Sequence, residues 1–188
     1  MLKVMHMLPR TLLHLNVKAK AKGKTALHGV SKTTFRVMPT DLDVLMHMNN
    51  GKYLSLLDIA RFEWIARAGL LQTMRQRGWY TVVGSQAITY RKSLQLFQKF
   101  TVETKLLGVD ERACYIEQRF VRNGEIYARA YVAGRFLKRG GGTLPMSEVA
   151  EAIGIDPADF PLPDDLQHFA STLRLPSTRS AAPSVWHD

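Results

Sequence analysis

The sequence predicts an α+β domain in which one long helix packs against an antiparallel sheet. Residues 52–68 contain no Pro or Gly, and their apolar side chains cover most of a helical circumference, which is typical of a largely buried helix. Four later stretches have the composition and alternation of strands, and Asn123-Gly124 separates the last two as a tight hairpin would. A chain of 188 residues is long enough for one such domain with tails.

The elements follow one another simply. A first strand begins at residue 32, where apolar and polar residues alternate, and ends before Pro39. The cluster Asn49-Asn50-Gly51 supplies turn and capping residues before the long helix, and Gly69 closes it. The remaining elements are a short helix over residues 70–76 and strands over residues 79–91, 99–107, 113–122 and 126–137, of which the last three form an antiparallel meander.

Charged residues are unevenly distributed along the chain. Residues 1–40 carry eight basic residues and no acidic one, whereas the other 148 carry 18 basic and 16 acidic residues. We therefore expect a basic N-terminal arm over residues 1–31, a folded domain over residues 32–139 and a C-terminal extension over residues 140–188. The extension begins with three glycines, has a weak helical start at residues 146–153 and is expected to be partly disordered, chiefly over residues 177–184.

The basic arm has two interpretations. As a mobile, solvated segment it would be dispensable for stability; alternatively, residues 1–24 could make weak contact with an anionic membrane surface. We expect no nucleic-acid partner, because no aromatic residues are interleaved with the lysines of residues 18–24. No apolar run is long enough for a spanning helix or a signal core, so a cytoplasmic location is expected.

Several chemistries lack the residues they need. Cys114 is the only cysteine, and the six histidines are scattered, so neither a disulfide nor a metal site is expected. Residues 83–87 do not form a serine-nucleophile elbow, and the glycines at 140–142 lack the Lys-Ser/Thr of a phosphate loop. We expect no metal and no redox or nucleotide cofactor.

A dense group of polar residues lies between the first strand and the long helix. It consists of Asp41, Asp43, His47, Asn49, Asn50 and Tyr53. Asp and Asn are ordinary turn and cap residues, so the group can simply begin the helix. Alternatively, a carboxylate beside the free N–H groups of a helix N-terminus suits hydrolysis of an activated acyl group, because the amides polarise the carbonyl.

The stretch DLDVLMHMNNGKYL at residues 41–54 resembles the D-x-D-x-x-G-H-x-N-N-x-x-Y-L signature of hotdog-fold acyl-CoA thioesterases. Within them it is most similar to the 4-hydroxybenzoyl-CoA thioesterase-like family, in the branch like thioesterase superfamily member six. The resemblance continues through ITYRKSL at residues 88–94 and YIEQRF at residues 115–120, and it covers about residues 33–138. It implies a hotdog fold, a long central helix wrapped by an antiparallel sheet of five or more strands.

The resemblance also implies roles for individual residues. Asp43 falls on the catalytic carboxylate, which acts as a nucleophile or as a general base, and the substrate would be an acyl-CoA or acyl-carrier-protein thioester. His47 and Asn50 would shape the site, and backbone amides around Asn49 to Gly51 would form the oxyanion hole. Tyr53 would orient the substrate or simply pack.

Further implications concern assembly and the CoA moiety. A homodimer or homotetramer is expected, with the active site formed between subunits. Residues that could meet the CoA phosphates are Arg91, Lys92, Lys138 and Arg139. The other class of function left open is a non-catalytic hotdog protein that binds acyl thioesters or lipids, with a membrane surface as one place of action.

Two positions on or near the long helix have open interpretations. Met46 stands where the family has Gly, so its side chain would narrow the acyl path, displace the loop or plug the core. Asp58 and Arg61 are spaced for an i, i+3 ion pair, with an assisting role for Asp58 as the less favoured alternative.

Overall fold

A computed structural model describes residues 7–14, 19–172, 175–176 and 180–184. Two short helices, α1 (Met7–Leu13) and α2 (Ala19–Lys22), precede strand β1 (Ser31–Arg36). The long helix α3 (Asn50–Arg67) and the shorter α4 (Leu70–Arg77) follow. The later elements are β2 (Trp79–Tyr90), β3 (Lys99–Val109), β4 (Cys114–Arg122), β5 (Glu125–Lys138), α5 (Met146–Ile153) and α6 (Asp164–Thr172).

The strands form a five-stranded antiparallel sheet in the order β1-β3-β4-β5-β2. The meander of the last three strands is confirmed, and so is the hairpin between β4 and β5. Asn123 and Gly124 both have positive φ, 51° and 78°, as a two-residue type I′ turn requires. These two residue types reach that region at little cost, which explains why they stand there.

Helix α3 covers one face of the sheet. Phe100 and Val102 of β3 are buried, while the intervening Thr101 is half-buried, so the predicted alternation places one face of the strand in the core. Tyr53, Leu56, Leu57, Ile59 and Ala60 of α3 are buried in the same cluster. The predicted buried helix on the dry face of the sheet is therefore confirmed.

Packing continues past the glycines at residues 140–142. Leu144, Met146 and Val149 join a core cluster that also contains Trp64 and Phe136. Helix α6, which was not predicted, packs on the other face of the sheet, with Leu166 and Ala170 against Tyr115 and Ala133. Of the stretch expected to be disordered, residues 177–179 lie outside the described residues.

The parts of the arm that the structure describes, residues 7–14 and 19–31, are docked, contrary to the expectation of a mobile segment. The Arg10 guanidinium lies 2.9 Å from the Asp41 carboxylate and donates to the backbone oxygen of Arg36 at 2.6 Å. His14 and Lys22 approach the Glu63 carboxylate of α3 at 2.7 Å and 2.6 Å. Both carboxylates are fully buried with the arm in place, so side chains of the arm supply the partners that these buried acids need.

No helix is long and apolar enough to cross a membrane within the ranges that the structure describes.

Candidate active site

The loop before α3 is folded around Asp43. The Asp43 N–H donates to the His47 oxygen at 2.9 Å, and the Met46 N–H donates to the Asp43 backbone oxygen at 3.1 Å. Its carboxylate oxygen Oδ1 accepts from the backbone N–H groups of Leu45 at 2.9 Å and His47 at 3.4 Å. The other oxygen, Oδ2, accepts no hydrogen bond from the described residues, and the side chain is half-buried. One oxygen thus orients the carboxylate while the second stays available.

Helix α3 begins with an asparagine cap. The Asn49 side chain accepts from the Gly51 N–H at 2.9 Å, and the Asn49 N–H donates to the backbone oxygen of Asp41 at 2.8 Å. Two of the three amides predicted for an oxyanion hole are therefore already engaged. The Asn50 N–H has no acceptor among the described residues, so it remains free at the positive end of the helix dipole.

Asp41 has a structural role. Its buried carboxylate pairs with Arg10 and also accepts from the Met38 N–H at 2.9 Å. Its backbone oxygen receives the Asn49 N–H, so the residue connects the arm, the end of β1 and the start of α3. The first acid of the motif holds the loop in place.

Met46 adopts a backbone conformation that favours glycine. Its φ is 59°, in the left-handed region, which explains why the similar family signature has Gly at this position. The side chain is 63% exposed, and the neighbouring Val44 and Leu45 are 97% and 70% exposed. Met46 therefore does not plug the core of the chain, and the three side chains form an apolar tip beside Asp43.

His47 and Tyr53 differ in their surroundings. His47 pairs with Gln95 in an isolated bridge, and its half-buried imidazole makes no hydrogen bond with other described residues. Tyr53 is buried, and its hydroxyl accepts from the Leu94 N–H at 3.2 Å. Burial raises the pKa of Tyr53, which therefore stays neutral. Tyr53 packs and holds the loop opposite His47, which agrees with the packing alternative; a role in orienting substrate stays a prediction.

The predicted phosphate contacts are at two different ends of the sheet. Arg91 and Lys92 follow β2 and pair with Glu125, and the hydrogen bond to Lys92 lowers the pKa of that carboxyl. The hydroxyl of Tyr90 donates to the Asn50 oxygen at 3.3 Å, so this end of β2 lies at the start of α3.

Lys138 and Arg139 lie at the opposite end of β2, where Lys138 pairs with Trp79 in the sheet and the Arg139 N–H donates to the Gly78 oxygen at 2.8 Å. Of the four predicted cations, Arg91 and Lys92 therefore follow the end of β2 that lies at the start of α3, and Lys138 and Arg139 do not.

The predicted ion pair between Asp58 and Arg61 is present. Arg61 is buried, and its guanidinium also donates to the Gln118 side chain at 2.6 Å. Burial lowers the pKa of Arg61, although the contact with Asp58 opposes this. Asp58 is therefore committed to a structural contact about two turns beyond the Asp43 loop.

Sequence reasoning missed the buried Glu63 and its partners on the arm. The signal was present, because Glu63 lies on the apolar circumference of α3, where a charge needs a partner. The side chains that supply it, His14 and Lys22, are separated from it by 49 and 41 positions.

The fold is a hotdog fold, with α3 lying across an antiparallel sheet. It is similar to that of the probable thioesterase YbaW from Escherichia coli, with a TM-score of 0.61 and 24% identity over 65% of this chain and 95% of that one. It is also similar to the DHNA-CoA thioesterase from Staphylococcus aureus, with a TM-score of 0.60 and 16% identity over 78% of this chain and 96% of that one.

The sequence profile of the Thioesterase-like superfamily matches residues 37–169. The chain belongs to this superfamily. It is 43% identical over 99 residues to Protein THEM6 from Xenopus laevis, covering 53% of this chain and 48% of that protein. It is 33% identical over 114 residues to Protein THEM6 from Drosophila melanogaster, covering 60% and 56%. The chain thus spans about half the length of the curated relatives it matches.

Proposed function

We propose that the chain hydrolyses the thioester bond of an acyl-CoA or acyl-carrier-protein substrate, with Asp43 as the catalytic carboxylate. The observation that carries the proposal is that two groups at the junction of the loop and α3, the Asp43 Oδ2 oxygen and the Asn50 N–H, have no hydrogen-bond partner among the described residues. Membership of the Thioesterase-like superfamily supports the reaction class.

In the general-base route, Asp43 Oδ2 takes a proton from a water molecule, whose oxygen attacks the thioester carbonyl carbon. The Asn50 N–H stabilises the negative oxygen of the tetrahedral intermediate, which then collapses with cleavage of the C–S bond. The departing thiolate receives the proton, and the products are a carboxylic acid and a thiol. In the nucleophilic route, Asp43 attacks the carbonyl carbon and expels the thiolate, and water then hydrolyses the mixed anhydride.

Arg91 and Lys92 are proposed to meet the CoA phosphates. Their side chains are 56% and 42% exposed, and they carry two positive charges against the single charge of Glu125. Tyr90 brings this end of β2 to the first residue of α3, so the two cations lie on the side from which a CoA moiety would approach Asp43. A Staphylococcus aureus protein of the same fold was solved in complex with CoA, with a TM-score of 0.56 and 16% identity over 78% of this chain and 97% of that one.

A homodimer paired along β2 is proposed as the active assembly. β2 is a 12-residue edge strand with exposed apolar side chains at Tyr80, Val82, Val83 and Tyr90. Such an edge pairs readily with another strand, because its N–H and C=O groups on one side lack partners in the sheet. Light scattering should give twice the chain mass; four times the chain mass would indicate the tetramer instead.

The alternative is a hotdog protein that binds acyl thioesters or lipids without cleaving them. One observation favours it: the loop beside Asp43 carries an exposed Met46 where the family signature has Gly. A binding protein would retain acyl-CoA and show no thiol release.

The test is a thiol-release assay over short, long and aromatic acyl-CoAs. We expect turnover by the wild-type chain and its loss in Asp43→Asn. Asp159→Asn is the matched control, because it removes an exposed carboxylate distant in sequence from the loop. Equal rates for Asp43→Asn and the wild type would overturn the mechanism. Binding of every acyl-CoA without turnover would favour the alternative.

A further inference from the structure

A cavity of about 400 Å³ lies between the second half of α3, the sheet and helix α5. Trp64 and Ile65 line it from α3, and Ile116 and Val132 line it from the sheet. The volume falls in the range of small-molecule sites, and an apolar cleft of this size is the kind of place where a ligand binds.

The cavity opens on one side. Phe62, Val82 and Val83 are 38%, 37% and 40% exposed and line it beside the edge strand β2. The deeper lining is buried, as Val132 and Val149 show at 1% and 2% exposure. In the proposed dimer this edge lies at the subunit interface, so a ligand would enter the cavity from that interface and extend towards α5.

We propose that this cavity binds the hydrocarbon tail of an aliphatic acyl group and that α5 forms its end wall. The lining is dominated by aliphatic side chains, and Met146, Val149 and Ile153 of α5 are among them. Flexible aliphatic walls suit a flexible alkyl chain, since both are buried together without any polar group losing its hydration.

The polar groups of the lining are few. Asp58 and Arg61 pair with each other, and Arg61 also binds Gln118. The Cys114 thiol donates to the Gly134 oxygen at 3.5 Å, and burial raises its pKa to about 11. The buried indole N–H of Trp64 has no hydrogen-bond partner among the described residues, so the preference for an alkyl tail over a hydroxylated ring rests on the aliphatic walls.

The tail site is distinct from the Asp43 loop. Arg61 is eleven positions after Asn50 on α3, which corresponds to about 17 Å along the helix axis. Binding of the tail and cleavage of the bond can therefore be measured separately. Only the statement that the bound tail belongs to a hydrolysed substrate rests on the function proposed above.

The experiment measures binding of octanoate, laurate, palmitate and 4-hydroxybenzoate to the full chain carrying Asp43→Asn, by calorimetry. We expect laurate or palmitate to bind and 4-hydroxybenzoate to bind at least about tenfold more weakly. Ile153→Trp fills the α5 end and should weaken binding of the longest bound acid about tenfold or more, while octanoate is affected less. Glu151→Trp, on the exposed side of α5, is the matched control and should change nothing.

Ile155→Trp, in the turn after α5, provides a second filling variant if Ile153→Trp lowers the melting temperature. Failure of all three fatty acids to bind, unchanged affinity in both folded filling variants, or tighter binding of 4-hydroxybenzoate would overturn the proposal. Fatty-acid binding without hydrolysis of any acyl-CoA would support the cavity assignment and reject the proposed function. Hydrolysis of an aromatic acyl-CoA without fatty-acid binding would support the proposed function and reject the cavity assignment.

Discussion

Asp41 and Asp43 are separated by one residue, yet their carboxylates have different surroundings. Asp41 is fully buried, pairs with Arg10 and accepts a backbone N–H, and the buried Glu63 is held similarly by His14 and Lys22. Asp43 is half-buried, with one oxygen bound by its own loop and the other free of partners among the described residues. Carboxylates in the region where the arm docks stabilise the fold, and the carboxylate of the loop is available for chemistry.

Asp43→Asn is expected to have the largest effect, and it tests whether the Asp43 carboxylate serves catalysis and not the stability of the fold. We expect kcat to fall about 100-fold to 10,000-fold, because the amide oxygen cannot take a proton from water or attack the thioester. The melting temperature should change little, since the amide oxygen can still accept the backbone hydrogen bonds of the loop. Thiol release and calorimetric melting of the same preparations check both parts. A large loss of stability with normal turnover would show that Asp43 is a structural residue and is not catalytic.

Deletion of residues 1–24 tests the other region. The docked arm predicts that deletion destabilises the fold by about 3 to 5 kcal/mol, because Asp41 and Glu63 would lose the basic side chains that pair with them. This reverses the expectation, drawn from charge alone, that the arm is dispensable. Urea unfolding measures the loss.

The matched control combines the deletion with Asp41→Asn and Glu63→Gln, which removes the orphaned charges. Part of the stability should return in this combination. If the deletion leaves the unfolding midpoint unchanged, the contacts of the arm contribute nothing to stability.

The dependence of stability on pH tests the structural role of the buried Glu63 carboxylate. Burial raises the pKa of the Glu63 carboxyl, but contacts with His14 and Lys22 more than offset this, so the pKa lies below its ordinary value of 4.5. The stabilisation by ionised Glu63 is therefore fully present above pH 4.5 and is lost as the pH falls through the lowered pKa.

The contribution of Glu63 changes the free energy of unfolding by at most about 1.4 kcal/mol per pH unit. Glu63→Gln should remove that component, and unfolding at several pH values below 5 compares the two chains. Identical pH profiles would show that Glu63 does not contribute.

Met46→Gly is expected to have the smallest effect. Glycine accepts a φ of 59° without strain, so the variant should gain up to about 1 kcal/mol in stability. Leu45→Gly is the matched control, because Leu45 is similarly exposed to solvent but does not have a positive φ. This variant should gain no stability.

The substrate ranking of Met46→Gly is informative as well. A shift towards bulkier acyl groups would place the side chain on the acyl path, because pockets discriminate modest size changes by about 1 to 3 kcal/mol. Measured kcat/KM values over a graded acyl series decide this point. An unchanged ranking with higher stability would assign Met46 to the loop conformation alone.

The sequence by itself determined the local structure. The apolar circumference of α3, the capping by Asn49 and the Asn123-Gly124 turn are local in origin, so periodicity and residue type were sufficient. The order of the meander followed from short connections. The motif at residues 41–54 also indicated that Asp43 lies near the start of α3, since only a few residues separate the two in the sequence.

Tertiary structure decided which charges are structural and which are available. Arg10 meets Asp41 over 31 positions and Lys22 meets Glu63 over 41, and no local pattern encodes such pairs. The buried state of Tyr53 and the cavity lined by α5 likewise depend on elements brought together only by folding. Burial and pairing are properties of three-dimensional neighbours, whereas helical and strand propensities are properties of the residues themselves.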